Sequence, residues 1–131
     1  MSAKRTDDLR MLEIQRLIND TYARIEALDL TEEKIVRPST YVESILVDTL
    51  YMNVYRTLEE ATNLEFETQF AYPHVPWNAI RGMRNRFAHD YGGVNPAIVW
   101  ETVRDGFPTL LDMANDYIDQ RELRTAADSD A

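Results

Sequence analysis

The sequence predicts an all-α protein, an antiparallel bundle of four to five helices. Three observations carry that expectation. Apolar residues recur at spacings of three and four over most of the chain. No segment alternates as a half-buried strand does. Proline and glycine gather in a few short breaks, and long helices joined by short breaks pack most simply as antiparallel neighbours.

The first helix is expected from about Asp7 to Leu28, where Met11, Ile14, Ile18, Ile25 and Leu28 form one apolar stripe. Leu30-Thr31-Glu32-Glu33 reads as a break and a short new turn, and Pro38-Ser39-Thr40 as a second break. Thr40 followed three residues later by Glu43 has the form of a capping box. From there Val47, Tyr51, Val54, Leu58 and Ala61 place a long helix up to about Asn63. Residues 64–76 lose the period and contain Pro73 and Pro76, so a loop is expected. The next helix runs from Pro76 or Trp77 to His89, with proline in the first turn, where its missing donor costs nothing. Tyr91-Gly92-Gly93 is expected to end it through a left-handed glycine cap. Asn95-Pro96 restarts the chain as N-cap and first helical residue. Val99, Val103, Phe107, Leu110, Ala114 and Tyr117 then give a last stripe, interrupted near Gly106-Phe107-Pro108. A single domain over residues 1–124 and a polar tail over 125–131 are expected.

Composition narrows the function. The chain of 131 residues has 44% hydrophobic and 28% charged residues, as ordinary globular proteins do. No apolar run approaches the roughly 18 residues that a membrane span needs. The basic pair Lys4-Arg5 is followed by no apolar stretch, so no secretory leader and a cytoplasmic location are expected. The sequence contains no cysteine, which removes disulfides, thiolate metal sites and a cysteine nucleophile. A net charge of -9 argues against a general nucleic-acid binder, and no DNA partner is expected.

One segment stands apart from this acidic background. Between Arg81 and Tyr91 lie Arg81, Arg84, Arg86, Asn85, His89 and Tyr91. On a helix Ile80, Met83 and Phe87 share a core-facing side, while Arg81, Asn85 and His89, spaced by four, share a second stripe. Arg84 lies beside that stripe, and its long side chain could swing toward the imidazole. These residue types suit RNA cleavage by internal transesterification. An imidazole can take or give a proton near neutral pH. A guanidinium stays charged and can hold two phosphate oxygens as charge develops. Such chemistry needs no metal or other cofactor, and His74 and His89, fifteen residues apart, make a poor metal set. The plainer alternative is a solvated, arginine-rich helix end whose charges favour the helix dipole.

Pro76-Trp77-Asn78-Ala79-Ile80-Arg81-Gly82-Met83-Arg84-Asn85-Arg86-Phe87-Ala88-His89-Asp90-Tyr91, followed by Val94 to Trp100, resembles the HepT-like branch of the HEPN superfamily. These are toxin ribonucleases paired with minimal nucleotidyltransferase antitoxins. The family's arginine, four residues, histidine, one residue, tyrosine is here Arg84, His89 and Tyr91, with the polar Asn85 directly after the arginine. The resemblance covers roughly residues 76–111, and residues 1–75 agree in helix order alone. It implies a HEPN-like bundle and a homodimer with two motifs facing one another across one RNA-cleaving cleft. In that reading Arg84 and His89 are catalytic, with Asn85, Arg81 and Arg86 in support. It further implies control by AMP attachment to Tyr91 from the cognate nucleotidyltransferase. The Gly-Glu-Ala element of the preceding family helix is matched only by Glu59-Glu60-Ala61, which leaves the mode of antitoxin recognition open. Two other readings fit the same residues: a HEPN dimer that binds nucleotide, RNA or nucleotidyltransferase without cleaving, and a structural helical adaptor.

Overall fold

The structure, a computed structural model, describes residues 6–130. The expectation for Met1 to Arg5 lies outside them, as does Ala131. The described residues form an all-α bundle with no strand. Its helices are α1 (Asp7–Ala27), α2 (Glu32–Val36), α3 (Tyr41–Thr62), α4 (Phe66–Ala71), α5 (Trp77–His89), α6 (Pro96–Glu101) and α7 (Phe107–Asp130).

Three pairs of long helices run antiparallel, as their cross-links show. Along α1 and α3, Arg10 pairs with Glu60, Glu13 with Arg56, and Asp20 accepts from Asn53. Between α1 and α7, Asp8 accepts from Tyr117, and Gln15 donates to Asn115. Between α3 and α5, Glu59 meets Arg84, while Tyr55 and Tyr51 meet Phe87. One index rises as the other falls in each case.

The core takes the predicted stripes. Met11, Ile14 and Ile18 on α1 are buried, as are Val47, Tyr51, Val54, Leu58 and Ala61 on α3. Val99, Val103, Phe107, Leu110 and Ala114 complete it from the last helical stretch. The α1 stripe stops short of Leu28, which is exposed, and it includes Leu17 and Thr21. Thr21 is tolerated there because its hydroxyl donates to the Leu17 carbonyl, as that of Thr57 does to Asn53.

The start signals act much as their residues dictate. Thr6, Thr31, Thr40 and Asn95 each accept an amide from the first turn of α1, α2, α3 and α6. At Thr40 the capping box is only half made. Thr40 accepts from the Glu43 amide, but the Glu43 carboxylate reaches the amide of Ser39, one residue earlier than the box requires.

Two expectations are corrected, and the last helical stretch is specified further. Residues 64–76 are not all loop, because α4 forms within them. Its cap is remote: Asp7 of α1 accepts from the Glu65 amide at 3.1 Å and from the Thr68 hydroxyl, so no local signal announces it. The expected left-handed glycine after α5 is absent, since neither Gly92 nor Gly93 has positive φ. Asp90 (φ -150, ψ 64) ends the helix and Tyr91–Gly93 forms a 3-10 turn. A Cβ at Gly93 would sit 2.1 Å from Asp90 Oδ2, so a larger residue there requires the exposed Asp90 carboxylate to turn away. The interruption near Gly106 is a π turn over Thr102–Gly106, where the Phe107 amide donates to the Thr102 carbonyl. Pro108 offers no amide to the helix ladder, and the wider turn absorbs the change of register. Finally, α7 continues to Asp130 through the segment expected as a tail, with residues 121–129 exposed.

Leu58 is fully buried in the middle of this core, whereas Leu12 is 48% exposed. Leu58→Ala should lower unfolding free energy by about 3 kcal/mol through transfer and cavity terms, and Leu12→Ala by less than about 0.5 kcal/mol. Urea unfolding of the two variants checks the assignment, and equal losses would contradict it.

Candidate active site

α5 is seated by its apolar side. Phe87, 3% exposed, lies edge-on to Tyr51 at 5.8 Å and tilted against Tyr55 at 5.7 Å. Ile80 is buried one end up, and Met83 packs partly against the same core. With that side fixed, helical geometry dictates where the polar residues point. Arg81, Asn85, Arg86 and His89 are all exposed, and Arg84 is half-buried on the flank facing α3.

Arg84 does not swing toward His89. Its guanidinium forks onto Glu59 of α3, with Nε to Oε2 at 2.7 Å and Nη2 to Oε1 at 3.3 Å. Nη1 donates to Asn85 Oδ1 at 3.2 Å. Five residues separate Arg84 and His89, which is about 140° around a helix of 3.6 residues per turn. The two therefore diverge within one chain, and no hydrogen bond joins them. Arg81 is held elsewhere, donating to Gln69 Oε1 of α4 at 3.1 Å and to Asn78 Oδ1 at 2.5 Å. The structure thus brings Arg84 and Asn85 together, and leaves Arg81, Arg86 and His89 at separate points along the exposed side.

Electrostatics follow these contacts. The hydrogen bond from Arg84, then its charge, hold the Glu59 carboxyl below the usual glutamate range, against the opposing effect of burial. The same bond raises the Arg84 guanidinium further. Tyr91, 39% exposed, stands edge-on to Phe87 at 5.7 Å and to Tyr51 at 6.0 Å. Burial, then the Asp48 carboxylate, push its hydroxyl upward. Tyr51 is pushed up to about 12, by burial first and then by Tyr91 and Asp48. Tyr91 is therefore an aromatic lid on the same ring cluster that seats Phe87.

Sequence reasoning gave Glu59 no role in the site, treating it as part of an imperfect family element. Its spacing from Arg84 is 25 residues, and only the antiparallel pairing of α3 with α5 brings the two together. His74 is exposed in its loop beside the Tyr72 ring, and Trp77 and Trp100 are half-buried packing residues. Trp77 also donates its indole N–H to the Tyr72 carbonyl at 3.0 Å. Among the described residues no group of three or more His, Asp or Glu is placed to hold a metal ion. No helix among them is long and apolar enough to cross a membrane.

Comparison with known proteins shows the family. The sequence profile of the family described as "Ribonuclease HepT-like" matches residues 18–117, which takes in all of α5. A protein of Thermococcus cleftensis named "Probable ribonuclease HepT" is 30% identical over 89 residues, covering 65% of this chain and 80% of that one. A protein of Caldanaerobacter subterraneus subsp. tengcongensis named "Putative RNase" is 42% identical over 52 residues, covering 40% of this chain and 46% of its own length. The match thus spans under half of the second relative. No solved structure matches the chain.

The depressed carboxyl of Glu59 fixes a sign. Its contribution is present above the pKa of an unfolded glutamate, about 4.3, and is lost as pH falls through the lower folded value. Because the pair is a third exposed, the effect should be only a few tenths of a kcal/mol to about 1 kcal/mol. Glu59→Gln should therefore destabilise the protein most at neutral pH, with the gap to the parent closing below about pH 4. A gap that widened on acidification would refute the pairing.

Proposed function

The chain belongs to the HepT-like ribonuclease family, and from that premise we propose that it is a metal-independent endoribonuclease, the toxin of a toxin-antitoxin pair. The observation that carries the reading is that one helix of an otherwise acidic protein exposes Arg81, Asn85, Arg86 and His89 and holds Arg84 half-buried on its flank. Glu59 and Asn85 occupy three of the five N–H donors of Arg84, leaving two for phosphate oxygens. Glu59 thereby positions the guanidinium while Arg84 faces the scissile group.

In the reaction, the 2'-oxygen of the substrate attacks phosphorus and loses its proton to an imidazole. The bond from phosphorus to the 5'-oxygen breaks, and that oxygen takes a proton. The products are a 2',3'-cyclic phosphate and a 5'-hydroxyl. Arg84 stabilises the charge gathering on the non-bridging oxygens. Divergence of Arg84 and His89 within one chain supports a homodimer, in which the arginine of one copy and the histidine of its partner meet in a shared cleft. Pairing also concentrates positive charge that one copy lacks. An open groove of about 580 Å³ beside α5, lined by Ala79, Gly82, Met83, Arg86, Ile98 and Asp105, offers small residues and opposite charges for such packing.

Tyr91 is the control point in this reading. Its hydroxyl is partly exposed, two residues from His89, and bonded to no described residue. AMP transferred there by a cognate nucleotidyltransferase antitoxin would put phosphate and bulk beside the histidine and repel RNA.

Replacing His89 by alanine should reduce RNA cleavage by about 10²–10⁴-fold with fold and self-association unchanged. Mapping of fragment ends for 2',3'-cyclic phosphate checks it. An alanine variant as active as the parent refutes the assignment, and RNA bound but never cut by the parent would leave a non-catalytic HEPN dimer. Tyr91→Phe should keep cleaving in the presence of the nucleotidyltransferase and ATP, while the parent is silenced. Equal silencing of both would remove Tyr91 as the control point.

A further inference from the structure

α4 is only six residues long, yet it presents two phenylalanines to solvent, Phe66 at 77% and Phe70 at 75% exposure. They are neighbours at i and i+4. Their ring centroids lie 6.2 Å apart with planes tilted by 31°, and both side chains remain largely open to solvent. The fold does not need them: buried Leu64 and the bond from Thr68 to Asp7 already seat this segment.

The flank of α4 beside the rings leads to the candidate active site. Gln69 is fixed by donating to the carbonyls of Thr62 and Leu64, at 3.2 and 3.0 Å. Its remaining oxygen accepts from Arg81, the residue one turn before Arg84 on α5. Arg81 also lines an open cleft of about 560 Å³, together with Trp77 and Asn78 among others. By helical spacing Glu67 leaves α4 on the side away from Gln69, so the approach from the rings to Arg81 avoids that carboxylate.

We propose that Phe66 and Phe70 form a stacking platform for unpaired bases of single-stranded RNA, with the sugar-phosphate chain passing over Arg81 toward Arg84. This extends the ribonuclease reading of α5 and rests on it. Aromatic faces accept any base, and stacking gives affinity that does not depend on a basic surface. That suits a chain of net charge -9, which draws little affinity from phosphate neutralisation. A protein partner fits less well. Two exposed phenylalanines offer on the order of 300 Å², whereas a specific protein interface takes about 800 Å² from each side.

The test is binding of a single-stranded RNA 12-mer and of a duplex of equal length, followed by fluorescence anisotropy, with His89→Ala present throughout to prevent cleavage. Adding Phe66→Ala and Phe70→Ala should weaken single-strand binding about tenfold or more, leaving duplex binding and thermal unfolding unchanged. A change below about twofold, an equal loss for both RNAs, or no single-strand binding by the chain with both phenylalanines overturns the platform. Unaltered RNA binding with lost self-association would assign the rings to a protein contact and overturn it too. Cleavage is read separately. A parent that binds through the rings but cuts nothing contradicts the ribonuclease reading alone. A parent that cuts long RNA as well with the rings as without them contradicts the platform alone.

Discussion

Phe87 sits edge-on to Tyr51 and tilted against Tyr55, and its ring is almost wholly removed from water. A ring of that size in a close-packed interior permits one rotation of its helix and resists any other. Once α5 is fixed in rotation, Arg84 must leave on the flank that meets α3, and His89 must leave toward solvent. Glu59 then captures the arginine at 2.7 Å. The geometry of the candidate site is thus a consequence of core packing: the apolar side of α5 decides where its polar side chains point.

The same constraint couples the proposed control point, Tyr91, to the core. Tyr91 lies beyond the end of α5, yet its ring closes edge-on over both Phe87 and Tyr51. A group attached to its hydroxyl would project from a rigid aromatic base, which places the added charge reproducibly near His89 in the proposed mode of control. At Gly93 the Asp90 carboxylate occupies the space that a Cβ would take.

Much of the fold was legible because it is written in local periodicity. The stripes of α1 and α3, the Asn95-Pro96 start and the extent of α5 all follow from apolar spacing and capping chemistry. What was not legible depends on residues distant in the chain. α4 owes its start to Asp7, 58 positions before the amide it accepts from. Glu59 could be assigned to Arg84 only once α3 and α5 were known to run antiparallel, and its hold on the guanidinium reverses the expectation that Arg84 turns toward His89. The glycines after His89 suggested a left-handed cap, but Asp90 ends the helix with a negative φ, and neither glycine has a positive one. Residue types suggested a chemistry for the segment, while tertiary contacts decided which of its side chains come together.

Within one chain Arg84 is turned to Glu59 and His89 to solvent, so the account requires that a competent cleft join the arginine of one copy to the histidine of another. Co-expression of an Arg84→Ala chain with a His89→Ala chain, separately tagged and purified as the mixed species, tests this most directly. The account predicts that each variant alone is inactive and that the mixed species regains cleavage of RNA to 2',3'-cyclic phosphate ends. A mixed species as inactive as its parts would contradict it, and would return both residues to a site within a single chain.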